Sequence, residues 1–168
     1  MRVNMDIFSA RGQVYQKHSE DAVRLFEACH GNSFGVLLTD WRQPAAVDAV
    51  VFNRRTQNVC GVVEIKSREI GLDDLYGAFN GEWLITLDKL TKGKEVAAGL
   101  GVPLVGFLYL IHDGILLTQR LSDETGMLLN VTRTATTLTQ RTCNGGFTER
   151  VNAFIDMKTA KVIGETKC

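Results

Sequence analysis

No stretch of this sequence approaches the length of apolar chain that spans a membrane. Met1–Asp6 holds no long apolar run of the kind a signal peptide uses. A cytoplasmic protein that does not touch membranes is the expectation. The chain also has little with which to build a zinc cluster. Its four cysteines (Cys29, Cys60, Cys143, Cys168) include no C-x-x-C pair, and its three histidines (His18, His30, His112) are scattered. Such usage fits reduced thiols in a cytosol, with Cys60 read as a buried thiol in an apolar strand. An excess of either charge is missing too: 19 Lys+Arg stand against 19 Asp+Glu. That balance excludes a basic coat for nonspecific nucleic-acid binding. It does not exclude an enzyme that meets nucleic acid on one face, because the acids of a site lower the sum. Nor is there a nucleotide-binding loop. Gly93-Lys94 invites that reading, but Asp88 stands where the first glycine is required and Glu95 where Ser or Thr is. Internal repeats and low-complexity tracts are absent.

What remains is an ordinary globular composition, 45% apolar and 23% charged, in 168 residues. That is one domain with room for a core. Residues 1–12 read as a loose arm or short strand. From Gln13 to His30, Val14, His18, Ala22, Leu25, Phe26 and Cys29 recur at three- and four-residue steps, which predicts a helix stopped at Gly31. Phe34–Thr39 reads as a strand. Leu72–Phe79 reads as a short helix and Trp83–Thr86 as a short strand. Leu87–Leu100 reads as a second long helix ended by Gly99, Gly101 and Pro103. Leu104–Ile111 is apolar throughout, as in a strand buried on both faces, and Ile115–Arg120 returns after a turn at His112-Asp113-Gly114. Beyond Leu121 the chain is threonine-rich and extended to Arg141. It turns at Asn144-Gly145-Gly146, returns over Phe147–Asp156 and continues over Met157–Ile163. Residues 121–168 therefore read as a β-rich appendage to a core spanning 13–120. Arg133, Arg141 and Arg150 lie in it, as a solvated strand face or as phosphate contacts. Its edge strands are the expected contact of a homodimer or higher homo-oligomer.

The chemistry concentrates between Ala46 and Arg68. Two β-branched apolar runs, Ala46–Phe52 and Val59–Arg68, flank a polar segment with turn-forming residues, which predicts a β-hairpin. Asp48 lies early in the first strand, and Glu64 and Lys66 late in the second. Glu64 and Lys66, two residues apart, share a face. Two acids and a lysine thus gather at one end of a hairpin whose other residues want burial. Burying an ion costs several kcal/mol, roughly, without compensation. The group is then either a structural ion pair or a divalent-cation site in which carboxylate oxygens hold the metal.

Asp48 followed by Glu64-Ile65-Lys66 at the end of the next strand resembles the signature of the PD-(D/E)XK nucleases. The proline that usually precedes the aspartate is replaced by Val47, with Pro44 upstream. The order of elements from Gln13 to Arg120 resembles the core of that family, and the passage Trp83 to Arg120 resembles its phage and archaeal members. The resemblance implies a restriction-endonuclease-like α/β fold, a mixed sheet flanked by helices. It implies Mg²⁺ (with Mn²⁺ as a substitute) held by Asp48, Glu64 and the Ile65 carbonyl, and Lys66 positioning the attacking water. It adds Glu20, from the first helix, as a further acid facing the site. The expected activity is hydrolysis of DNA phosphodiester bonds, with Lys89, Lys92 and Arg68 as candidate phosphate contacts. The alternative is a protein of the same fold that binds DNA or assembles without cutting.

Overall fold

The computed structural model describes residues 10–140 and 147–164. The N-terminal arm expected over the first residues, the turn at Asn144-Gly145-Gly146 and Arg141 lie outside these. The elements are α1 (Ala10–His30), β1 (Phe34–Leu38), β2 (Ala49–Asn53), β3 (Val59–Arg68), α2 (Leu72–Tyr76) and β4 (Glu82–Thr86). There follow α3 (Leu87–Leu100), β5 (Leu104–Leu110), β6 (Ile115–Arg120), β7 (Val131–Gln140), β8 (Phe147–Asp156) and β9 (Lys161–Ile163).

Six strands form a mixed sheet in the order β1-β2-β3-β5-β6-β9. Strands β1, β2 and β3 are an antiparallel meander, β5 runs parallel to β3, and β6 and β9 complete the sheet antiparallel. The parallel β3–β5 pair requires a crossover, and α3 lies within it. The β2–β3 loop is held by Asn53, whose Oδ1 accepts from the amides of Arg55 and Thr56 at 2.9 and 3.0 Å.

Helix α1 covers one face of this sheet. Its Ala22 and Leu25 pack with Val36, Ala49, Val63, Ile65 and Phe107, and the Phe26 and Phe107 rings lie 5.0 Å apart. The apolar periodicity of α1 overreaches at its start: Val14, expected on the inner face, is 51% exposed. The other face is covered by α3 and by a second sheet of order β4-β8-β7. Trp83, Ile85, Leu90, Ala97, Ala153 and Ile155 are buried here against Val62, Leu104 and Leu108. Helix α3 ends at Gly101, whose φ of 66° lies in the left-handed region and whose amide donates back to the Ala97 and Ala98 carbonyls.

Residues 121–164 are not an appendage. Strand β8 is the centre of the second sheet and pairs with β4, and Ala153, Ile155 and Met157 are fully buried in the shared core. Strand β9 forms an edge of the main sheet. The short Trp83–Thr86 strand cannot stand alone, since two or three strands with a covered face are the smallest stable unit. Its partner comes from about seventy residues further on (β4 Glu82 pairs Asp156), so both parts of the chain close one core. Cys60 is a half-buried free thiol. Cys29 is disulfide-bonded, so the expectation of reduced thiols throughout is not met there. No helix among the described residues is long and apolar enough to cross a membrane.

The two layers approach closely at Gly106 of β5, opposite Glu64 in register. A methyl group at Gly106 would run into the Trp83 ring and lie 3.0 Å from a Leu121 methyl. Gly106→Ala is therefore expected to destabilise the fold by about 1–3 kcal/mol through overpacking, seen as a lower urea midpoint with an unchanged slope.

Candidate functional site

Strand β3 carries the site out of the core. Val62, Val63 and Ile65 are buried, and the period of two turns Val63 and Ile65 towards α1 and Val62, Glu64 and Lys66 towards α3. Glu64 is only 2% exposed. Asp48 immediately precedes β2, where the ladder to β3 has reached Ala49–Val63. The Asp48 amide donates to the Val63 carbonyl at 2.8 Å, which extends the ladder by one residue and sets Asp48 across from Glu64. On its other side, the Asp48 carbonyl accepts from the Thr39 amide at 2.9 Å and from Thr39 Oγ1 at 3.0 Å. The carboxylate is fixed as well: Oδ2 accepts from the Ile65 amide at 2.8 Å.

Two lysines answer the two acids. Lys66 Nζ lies 3.1 Å from Glu64 Oε1. Lys89, from the first turn of α3, places its Nζ 3.4 Å from Asp48 Oδ1 and 3.6 Å from Glu64 Oε2. A single cation therefore touches both carboxylates. A lysine at a helix N-terminus opposes the macrodipole, so this position is held by the acids on the sheet and not by the helix. Burial pushes the Glu64 carboxyl up from its ordinary range; Lys66 opposes this, Asp48 adds to it and Lys89 opposes it. Burial also works to lower the Lys66 ammonium, but Glu64 and Asp48 outweigh it and raise it. Lys66 is thus a persistent cation, suited to orienting a ligand or neutralising charge and not to taking up a proton. Glu64 Oε1 is buried with no hydrogen-bond donor aligned to it, although the Lys66 charge is close.

The residues suit a hard divalent cation. Asp48 and Glu64 offer carboxylate oxygens on one side of the sheet, converging on the point that the Lys89 ammonium touches. Among the described residues no group of three or more His, Cys, Asp or Glu forms a metal cluster. Mg²⁺ commonly binds through one or two carboxylates and completes its shell with water and substrate phosphate. Asp48 and Glu64 are the side chains that would hold it. Of Ile65, the part tied to the site is the amide that orients Asp48.

The site opens into a cleft with two connected halves that share Tyr15, Ser19, Ile65, Lys66 and Lys89. One half, about 390 Å³, is walled by Gln16, Leu38, Trp41, Pro44 and Asp48. The other, about 400 Å³, is walled by Arg68, Leu84, Thr86, Thr139 and Arg150. Glu20 is not brought to the site. It is exposed, accepts from Gln16 Nε2 at 3.4 Å and borders a separate depression with Arg24 and Glu27. It lies four residues beyond Gln16 on α1, about 6 Å further along the axis, so Gln16 and Ser19 take the place expected for it. Lys92 is exposed and paired with Asp88 at 2.9 Å, away from both halves. Lys89, read from the sequence as a phosphate contact, is instead the cation between the acids. Gln16, Trp41 and Thr39 carry no sequence signal that would single them out.

The chain matches no protein-family model and has no significant match among curated proteins.

A raised Glu64 makes stability depend on pH in a definite sense. Above the ordinary value of 4.5, and up to its raised folded value, the folded protein keeps a proton that the unfolded chain has released. Stability then falls as pH rises through that window. Urea unfolding in EDTA is expected to show this slope in the wild type and to lose it in Glu64→Gln.

Proposed function

We propose that the chain is a metal-dependent nuclease of the PD-(D/E)XK type that hydrolyses DNA phosphodiester bonds with Mg²⁺, Mn²⁺ serving as a substitute. The observation that carries this reading is the convergence of the Asp48 and Glu64 carboxylates on one cation, with Lys66 beside them at the mouth of a cleft. The topology supports it. A helix, an antiparallel three-stranded meander, a crossover helix and a strand parallel to the third give the order expected of the restriction-endonuclease-like core.

In this reading Asp48 and Glu64 hold the ion, and the Ile65 amide and Thr39 keep Asp48 aimed. When bound, Mg²⁺ supplies positive charge to the scissile phosphate and lowers the pKa of a water. Lys66, protonated and 35% exposed at its side chain, orients that water and offsets charge that builds up on the phosphate. Lys89, which lies between the two acids and lines the cleft, would have to leave that place for an ion to be held there. Cleavage of both strands by a single-ion site calls for two copies; β7, an edge of the second sheet, is the surface for that contact, and light scattering reads it directly.

One observation favours the alternative, a protein of this fold that binds or assembles without cutting. Lys89 already satisfies both acids, so the four charges balance without a metal. The two readings part on substitution. In the nuclease, plasmid and single-stranded DNA are cut with Mg²⁺ or Mn²⁺ and not in EDTA, and Asp48→Asn or Lys66→Ala lowers the rate by at least about 10²-fold while Lys66→Ala melts near the wild type. In a purely structural cluster, Lys66→Ala strands a buried acid and costs roughly 3–5 kcal/mol. Wild-type activity in Asp48→Asn ends the nuclease reading.

A further inference from the structure

The half of the cleft beyond Lys66 has a lining that the acids and lysines of the site do not explain. No carboxylate borders it. Its walls carry the hydroxyls of Ser67, Thr86 and Thr139 and two guanidinium groups, Arg68 and Arg150. Arg68 ends β3 and is half-buried. It donates to the Ser67 carbonyl at 2.9 Å and to the Leu84 carbonyl at 3.4 Å. Among the described residues no carboxylate lies within ion-pair distance of it. A partly desolvated arginine without an acid is costly, and burial works against its charge.

Arg150 reaches the same space from the other side. Strand β4 pairs only with Asn152–Asp156 of β8, whereas β7 pairs with β8 to its start at Phe147. Residues 136–140 and 147–151 are therefore a two-stranded ribbon running past the second sheet. Its register sets Thr137 opposite Arg150 and Thr139 opposite Thr148, so Arg150 and Thr139 share the face that borders the cleft. Arg150 is exposed and has no ion pair among the described residues. Within the cleft, Lys66 and Lys89 are offset by Glu64 and Asp48. Within the cleft, the positive charge left unmatched by an acid is therefore that of Arg68 and Arg150.

We propose that Arg68, Arg150 and the hydroxyls between them form a phosphate subsite that takes a phosphate group of a nucleic-acid strand next to the one at Asp48 and Glu64. This deepens the nuclease reading and rests on it for the identity of the strand. The planar fork of arginine suits two oxygens of a phosphate, and both guanidinium-bearing residues border the same half of the cleft. The ribbon then acts as a clasp on one side of the scissile bond.

The test is fluorescence anisotropy with a labelled oligothymidylate in EDTA, where nothing is cut, over a series of salt concentrations. Arg150→Glu is expected to weaken binding at least about tenfold and to reduce the salt slope by about 0.7, one phosphate contact on a single strand. Arg150→Lys should restore the slope. Arg68→Lys should keep the slope and weaken binding, since it keeps charge and loses the fork. Thermal melting should stay at the wild-type value for both Arg150 variants. Oligonucleotides with and without a terminal phosphate separate the two sources: equal losses assign an internal phosphodiester, a loss confined to the phosphorylated oligonucleotide a terminal phosphate. An unchanged affinity and slope in Arg150→Glu, or no binding by the wild type, overturns the subsite. If metal-dependent, Asp48-dependent cleavage persists beside an unchanged Arg150→Glu, the subsite falls and the nuclease stands. If the Arg150 effect appears but Asp48→Asn cuts like the wild type, the nuclease falls and the phosphate site stands.

Discussion

A carboxylate buried in the middle of a sheet is the constraint around which this protein is arranged. Glu64 lies on β3, one strand of the central parallel pair, and is almost wholly buried there. Leaving it there uncompensated would cost several kcal/mol, roughly, out of a total stability of similar size. The chain answers with Lys66 two residues on and with Lys89 at the head of α3. The second answer shapes the fold, because it ties the start of the crossover helix to the end of the hairpin. Asp48 needs its own support, and the backbone supplies it from both neighbouring strands through Thr39 and Val63.

The second sheet turns that cluster into a cleft. Strand β4 leads directly into α3 and so sets where Lys89 begins. Strand β8 holds β4 in place, and the β7–β8 ribbon continues past it to form the far wall. The C-terminal third thus supplies core, sheet edge and cleft wall together. A chain of zero net charge can then carry a local positive surface, since its site acids are matched within the cluster while two arginines on the wall are not.

The same physics accounts for both functional readings. An ion cluster that balances itself is stable without a ligand, which is the structural reading. In it both acids are matched, Glu64 by Lys66 and Lys89 and Asp48 by Lys89. In the nuclease reading an ion would take the place of Lys89 between the same oxygens. That difference turns on how well the oxygens are coordinated and not on how many charges are present.

The sequence by itself determined the local elements and the central chemistry. The run from Leu87 to Leu100, bounded by glycines and a proline, is α3 as expected, and Ile115–Arg120 and Phe147–Asp156 are strands with the expected limits. Periodicity and turn residues act over a few positions, and these elements need nothing more. Asp48, Glu64 and Lys66 were legible as a group because a hairpin brings near neighbours together by its register. Only the tertiary structure decided the rest. Glu20 lies outside the cleft that Gln16 and Ser19 line, because packing Ala22, Leu25 and Phe26 on the sheet sets which turn of α1 stands beside the site. Lys89 joins Asp48 from about forty residues away, and Arg150 comes to border the same cleft as Arg68 from about eighty. Trp83–Thr86 finds its partner in β8 and not in the main sheet. Such pairings depend on which apolar faces close the core at lowest cost in surface and entropy, and no local pattern of residues records that choice.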